Sequence, residues 1–523
     1  MRERPDKFVL LSKSVFTAAD EAPFDGFIVI EGNRIQKVGP RAQADSYIRR
    51  ANRSIDVGDR TVIPGLTDDH VFFTGWALLS LGADLSGACT DEEGIELLQT
   101  YARRHSDANE DTSSPIFGHN WSKRYFSPHA EDKLTAAFPR RPVVAFTTDR
   151  NTCWMNQAAR DRYCFSPEEC YAEKIWRMIR DYITLPEVKK LYPTYMHMLN
   201  RRGVTQIKEM SYDDYYGFTD EMDRLERTNE LTIRISMMSQ PVGYGMDLNH
   251  GYKMLDCFQG PFVRFTGFNR MTDRSIGSGL AELKEPYLST PNSCCGQPVD
   301  WDLISSELFE ADKAGFRYSL HCQGDAAVAH AVDLFEKCHR DAQGRLVNRH
   351  AITDLEFSDP EDIVRFGAMG GICEVYPQIQ SLDNKEDLLA MVDQQIGRDR
   401  FRNYWNRRKM WDAGCVVCAG TDLPLMFPSI GEALYCGVGG YFNDGGCARE
   451  ENMLTTSEML RAWTANGAYD CLDEERLGTL EEDKLADIAV LESNVFATSP
   501  KNLRNVNAAM TISDGRIVYD ELD

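Results

Sequence analysis

The stretch Leu308-Phe-Glu-Ala-Asp-Lys-Ala-Gly-Phe-Arg-Tyr-Ser-Leu-His321 carries a complete structural unit. An amphipathic helix runs into Gly315, the residue type preferred just past a helix end. A short apolar strand, Phe316–Leu320, follows, and a polar residue, His321, ends it. The unit recurs along the chain. Tyr195–Arg202 passes through Gly203 to Val204–Ile207 and then Lys208-Glu209; Glu361–Met369 passes through Gly370-Gly371 to Ile372-Cys373 and then Glu374. Tyr404–Ala413 passes through Gly414 to Cys415–Ala419 and then Thr421-Asp422. Helices alternating with short buried strands imply a parallel sheet. With this many units, the expected α/β fold is a (β/α)8 TIM-type barrel, which gathers strand-end residues around one mouth. A doubly wound open sheet is the alternative, but no G-x-G-x-x-G fingerprint follows any strand.

Outside the repeat, both chain ends are β-rich. Phe8–Leu11, Gly26–Ile30, Ile35–Val38 and Thr61–Ile63 open the chain, with a hairpin turn at Glu31-Gly32-Asn33-Arg34. Ile488–Leu491, Ala508–Ile512 and Ile517–Tyr519 close it, with a turn at Ser513-Asp514-Gly515-Arg516. The expectation is a composite β-sandwich from residues 1–65 and 476–523, and a barrel over 66–475. An insertion or lid at about 84–151 breaks the rhythm.

At 523 residues and 42% apolar, the chain has ample material for a core. A net charge of −23 argues against a nucleic-acid partner or an anionic membrane surface, both of which need a basic face. No apolar run approaches the roughly 18–20 residues that span a bilayer. Phe8–Leu11 is too short for a signal-peptide core. Fifteen cysteines without such a signal suggest reduced thiols and a cytoplasmic location. Cys415 and Cys418 have redox-motif spacing, but Val416 and Val417 between them read as a buried strand. Cys294-Cys295 sits in a loop and receives no role. The partner implied is a small-molecule substrate, with a homo-oligomer allowed.

The polar residues at strand ends are Asp68, Asp69 and His70, Lys208 and Glu209, His321, Asp354 and Glu356, Glu374, and Asp422. Each alone reads as well as a rim residue, but His70, His321 and Asp422 each end a separate apolar strand. Histidines and carboxylates converging on one mouth can hold a metal and activate water. Lys208 is read as pairing with Glu209 on the surface. Glu356 and Glu374 fit rim salt bridges or catalysis equally. His119 reads as a loop histidine, and Tyr125, Trp121 and Tyr376 mostly as packing. Phe72, Trp76, Trp154 and Glu374 are candidate substrate contacts.

Val62-Ile-Pro-Gly-Leu-Thr-Asp-Asp-His70 resembles the first-strand signature of the amidohydrolase superfamily. Later segments resemble its family 3 branch, the N-substituted formamide deformylase-like proteins. Asp149-Arg-Asn-Thr-Cys-Trp-Met-Asn156 is similar to the D-x-H-S-x-W-x-N segment, and Asp273-Arg-Ser-Ile-Gly-Ser-Gly279 with Glu285-Pro-Tyr287 to D-G-S-L-G-S…E-P-Y. His321-Cys-Gln-Gly-Asp325 resembles H-A-x-G-D, and Gly420-Thr-Asp422 resembles G-S-D. Arg461-Ala-Trp-Thr-Ala-Asn-Gly467 and Gly478-Thr-Leu…Lys484-Leu-Ala-Asp-Ile-Ala-Val490 are similar to the family's ending.

The resemblance implies metal-assisted hydrolysis of a carbon–nitrogen bond, and the departures from it matter most. The family's H-x-H is His70-Val71-Phe72 here. The bridging lysine falls at Arg264 or Asn269, one histidine at Asp354, and the D-x-H histidine at Asn151. A two-metal centre is therefore not expected. One divalent metal (Zn, Fe or Mn) on His70, His321 and Asp422 is one reading, with Asp354 as a fourth ligand or a base; a metal-free site is the other. The leading expectation is a hydrolase of a non-peptide carbon–nitrogen bond in a small amide or formamide-like substrate, with Asp422 as proton shuttle and His321 and Asp354 catalytic. A metal-independent isomerase, hydratase or decarboxylase, and a non-catalytic binding protein, are the alternatives.

Overall fold

A computed structural model describes the chain except residues 1–6, 106–114, 126, 148–151, 168, 170–177, 180, 212–216, 242–244 and 523. Asp149–Asn151 of the D-x-H-like segment thus lie outside the described residues.

Eight parallel strands pair in chain order: Leu66–Val71, Val204–Ser211, Arg234–Ser239, Val263–Met271, Arg317–His321, Ala351–Thr353, Ile372–Val375 and Val416–Ala419. The seam between the last and first is closed just past the strand ends. Val71 bridges Leu423 in parallel, Phe72 N donates to Leu423 O at 2.8 Å, and Thr421 clamps the Asp68 carboxylate through its amide (3.0 Å) and hydroxyl (2.6 Å). The expected barrel is therefore observed.

The helices form for local reasons. Trp301–Lys313 is capped by Asp300, whose side chain accepts from Leu303 N at 3.0 Å. It buries Ile304, Leu308 and Ala311 at i, i+4 and i+7 against the sheet. The glycines of the repeating unit, Gly203, Gly315, Gly370 and Gly414, all take positive φ (64° to 83°), the conformation that turns the chain from helix to strand. Cys415 and Cys418 are buried thiols of the eighth-strand segment, as the sequence suggested.

Both chain ends pair into one eight-stranded sheet, joined where Ile488–Leu491 runs antiparallel to Thr61–Pro64. The sheet folds over so that the two hairpin tips meet; Asn33 donates to Asp514 at 3.1 Å. Phe8, Leu10, Ile28, Ile30, Val62, Ile488, Val490 and Met510 fill the space it encloses. Arg234, buried on the third barrel strand, fixes this domain to the barrel through Asp487 and Asp514, each at 2.9 Å.

Between the first and second barrel strands lies a separate four-stranded sheet: Ala83–Asp84, Ile116–Trp121, Val143–Thr147 and Cys153–Met155. Its last strand pairs beyond residue 151, so the insertion is longer than the sequence rhythm indicated. Trp154 belongs to its core, 1% exposed and 6.2 Å from the Trp121 ring, and does not reach the mouth as a substrate contact. Trp76 is likewise packing, set between Phe73 and Tyr195.

Candidate active site

His70 ends the first barrel strand with its side chain buried. Its Nδ1 faces Glu374 Oε2 at 3.5 Å, and the rings of Phe72 and Tyr376 stand 5.5 Å from its own. Burial opposes a charge on His70, but Asp354, Glu374 and Asp422 outweigh it and raise its pKa. Across the barrel, His321 Nε2 lies 3.6 Å from Asp354 Oδ1. His321 Nδ1 is buried without a hydrogen-bond partner, and the Tyr376 hydroxyl is buried beside the Asp354 carboxylate. Burial, then Asp354, Asp422 and Glu374, push the Tyr376 pKa well up, so its hydroxyl remains a donor. Asp354 and Asp422 both hold left-handed backbone (φ 58° and 49°), a conformation aspartate tolerates better than most residues. The structure thus gathers His70, His321, Asp354, Asp422 and Phe72 at one mouth, and adds Tyr376. The sequence held a signal for Tyr376: in Glu374-Val375-Tyr376, residues two apart on a strand share a face.

Beneath the mouth the barrel is filled by charge rather than by the branched apolar layers usual for this fold. Lys208 is fully buried and pairs with both Glu374 and Asp470. Its expected surface pairing with Glu209 is overturned, because the second strand's pleat turns Lys208 inward. Arg317, at the start of the fifth strand, also pairs with Asp470 and reaches Glu374 Oε1 at 3.1 Å. Burial alone would raise the Glu374 pKa; Lys208, His70 and Arg317 together hold it well below the ordinary carboxylate range. Glu374 is therefore a buried anion that orients His70, not a rim residue or substrate contact. Asp69 differs: burial first, then Asp470, pushes its pKa well up, and neither oxygen has a hydrogen-bond partner.

Glu209 is fully buried as well, accepting from Phe73 N at 2.9 Å while its second oxygen has no partner. Burial pushes its pKa up to about 8. The folded chain therefore holds a proton that the unfolded chain releases. Stability from that proton is complete below the ordinary glutamate value and is lost as pH rises through about 8. Glu209→Gln should remove this dependence: between pH 5 and 8 the wild type should lose on the order of 3 kcal/mol relative to the variant. Urea unfolding at the two pH values checks this, and parallel pH profiles would mean that Glu209 is ionised in the fold.

Asp273, in the loop after the fourth strand, organises the fifth-strand end. Its carboxylate accepts from Gln323 N (2.9 Å), Gly324 N (2.8 Å) and Glu282 N (2.9 Å). Burial still raises its pKa to about 6, although His321 and these amides oppose the rise. Glu356, half-buried nearby, is pushed up to about 7 by burial and then by Asp354.

The donor set suits one divalent cation. Two imidazoles and two aspartates surround the mouth, His70 carries the carboxylate partner typical of a ligating histidine, and an unsatisfied nitrogen on His321 remains available. It does not suit two cations. Phe72 supplies no ligand, Asn269 on the fourth strand hydrogen-bonds Gln240 at 2.9 Å, and Arg264 pairs with Asp473, which also pairs with Arg476. Among the described residues, two groups bring three potential ligand atoms within 4.8 Å of one another, Asp312–Cys338–His350 and Asp69–Asp470–Cys471; the mouth residues do not form a third. In the first, His350 accepts from Tyr318 N at Nδ1 and so donates to Asp312 through Nε2, which leaves no nitrogen lone pair for a metal. In the second, Asp470 is already held by Lys208 and Arg317.

Comparison with known proteins agrees with this architecture. A profile described as the amidohydrolase family matches residues 53–519. YtcJ of Bacillus subtilis (strain 168) is 22% identical over 97% of this chain and 98% of its own length. N-substituted formamide deformylase of Arthrobacter pascens is 24% identical over 94% of each chain. An uncharacterized metal-dependent hydrolase from Pyrococcus horikoshii superposes with a TM-score of 0.74 at 17% identity, covering 98% of this chain and all of its own. Among the described residues, no helix is long and apolar enough to cross a membrane.

Proposed function

Because the chain belongs to the amidohydrolase family, we propose that this hydrolase cleaves a non-peptide carbon–nitrogen bond of a small amide or formamide-like substrate at the barrel mouth. The observation that carries the reading is the facing pair His70 and His321, each set beside a carboxylate, with Asp422 between the closing strands. His70, His321, Asp354 and Asp422 would hold one divalent cation, Zn, Fe or Mn; when bound, it lowers the pKa of water and polarises a carbonyl. Asp422 accepts the water proton and returns it to the leaving amine. Tyr376 donates a hydrogen bond toward the substrate carbonyl, and Phe72 keeps bulk water from the mouth. Glu374 keeps His70 in one tautomer.

The test is amine release from a panel of N-substituted formamides and small amides by protein loaded with Zn²⁺, Fe²⁺ or Mn²⁺ and by chelated protein. Release that chelation abolishes and metal restores is expected. Full turnover without metal would replace this reading with acid–base chemistry such as isomerisation, hydration or decarboxylation. Binding of panel members without release would make the chain a binding protein.

Phe72→His should not create a two-metal centre, since Asn269 and Asp354 remain in place of the other required ligands. It should tighten binding of a single Zn²⁺ by adding an imidazole beside His70. Calorimetric titration checks this, and two tight equivalents would show the ligand set to be misplaced.

A further inference from the structure

The loop Pro377–Ser381, which follows the seventh barrel strand, and the helices Arg407–Asp412 and Ile430–Gly437, which flank the eighth, enclose a small cavity away from the mouth. Its interior has room for roughly one water-sized sphere. Arg407 lines it, 3% exposed. Its guanidinium makes a single side-chain hydrogen bond, to the neutral Gln380 Oε1 at 3.3 Å, and lies 5.6 Å from the Trp405 ring. No carboxylate is paired with it among the described residues. Trp405, on the same wall and 8% exposed, directs its indole N–H to the Glu356 carboxylate.

A buried guanidinium without a counter-charge costs several kcal/mol, so such groups are normally paired. The nearest candidate within the chain is Cys436, also on the cavity wall, but burial pushes its thiol up to about 12 despite Arg407, so it stays protonated. The neighbouring Arg449 adds a second positive charge to the lining and is itself partly committed to Glu451 at 2.9 Å. A water molecule would satisfy hydrogen bonds there but not the charge.

We propose that this cavity binds one monoatomic anion of halide size, chloride in ordinary buffers, held by the Arg407 guanidinium with the Arg449 charge beside it. The cavity is too small for phosphate, sulfate or a carboxylate ligand. Arg449 and Asn452 also line an open surface cleft, in which Arg402, Arg408 and Lys409 stand among Asp359, Glu361, Asp412 and Glu451. The occupant would brace the loops that follow the seventh and eighth strands, the same loops that begin at Tyr376 and Asp422.

Two measurements decide it. Crystals of the full chain soaked in sodium bromide should show an anomalous peak beside Arg407; its absence from the cavity overturns the proposal. In solution, sodium chloride or bromide should raise the melting temperature above that in sodium gluconate at equal ionic strength, by about 2–3 °C at a hundredfold excess over Kd. Arg407→Met, close in length and uncharged, should abolish that difference, and an equal halide response in the variant would count against the site. If the variant fails to fold, the bromide peak in the wild type still gives the answer.

Discussion

Asp422→Asn should lower kcat for amine release by about 10²–10⁴-fold, the range typical for loss of a positioned acid–base group. Melting temperature should remain close to wild type. The substitution is a direct test because the backbone on either side of Asp422 is held by other residues. Asp422 sits one residue after Thr421, whose amide and hydroxyl are fastened to Asp68, and one before Leu423, which bridges the first strand. Its left-handed φ of 49° is also well tolerated by asparagine. The amide can still act as a neutral oxygen donor but cannot accept a proton from water. Metal content measured alongside kcat separates the two roles of the residue: retained metal with lost turnover identifies proton transfer, and lost metal identifies ligation. Turnover near the wild-type rate would remove Asp422 from the mechanism.

Lys208→Met should cost about 3–5 kcal/mol of stability, the range for breaking a buried ion pair from one side. In the interior the cations Lys208 and Arg317 are paired with the carboxylates Glu374 and Asp470. Methionine matches the lysine stem in volume but leaves one anion uncompensated inside the barrel. Lys208 is also the largest influence holding Glu374 ionised, so its loss should let Glu374 take up a proton and loosen its hold on His70. The double variant Lys208→Met/Glu374→Gln restores charge balance and should recover much of the stability, though not the orientation of His70. Urea unfolding of the two single variants and the double variant measures this coupling. A Lys208→Met protein as stable as wild type would mean that the interior charges are not paired as described.

Much of the fold was legible because its signals are local. An amphipathic run, a glycine and a short apolar strand announce themselves within about fifteen residues, and Gly203, Gly315, Gly370 and Gly414 take the left-handed conformation that suits a helix end. The same holds for the hairpins at Gly32-Asn33 and Asp514-Gly515. Readings that needed a partner from another strand fared differently. Lys208 and Glu209 are adjacent in sequence, yet they serve separate surroundings, one among the interior charges and the other against Phe73 N. Trp76 and Trp154, candidates for substrate contact or packing by sequence, are placed by the fold among other rings.

The sequence by itself determined the repeating unit, the β-rich character of both chain ends, and the polar residues that end the strands, because each follows from propensity and hydrophobic period over a few residues; that the two ends pair with each other was decided by the tertiary structure. Only the tertiary structure decided what those polar residues do. Glu374 became an orienting anion, Asp69 an acid whose pKa burial pushes well up, and Arg407 a cation with no carboxylate partner among the described residues, through groups contributed by other strands and helices. The physical reason is that burial and Coulomb interactions depend on distances in space. Those distances are set only when the barrel closes and brings together charges more than a hundred residues apart.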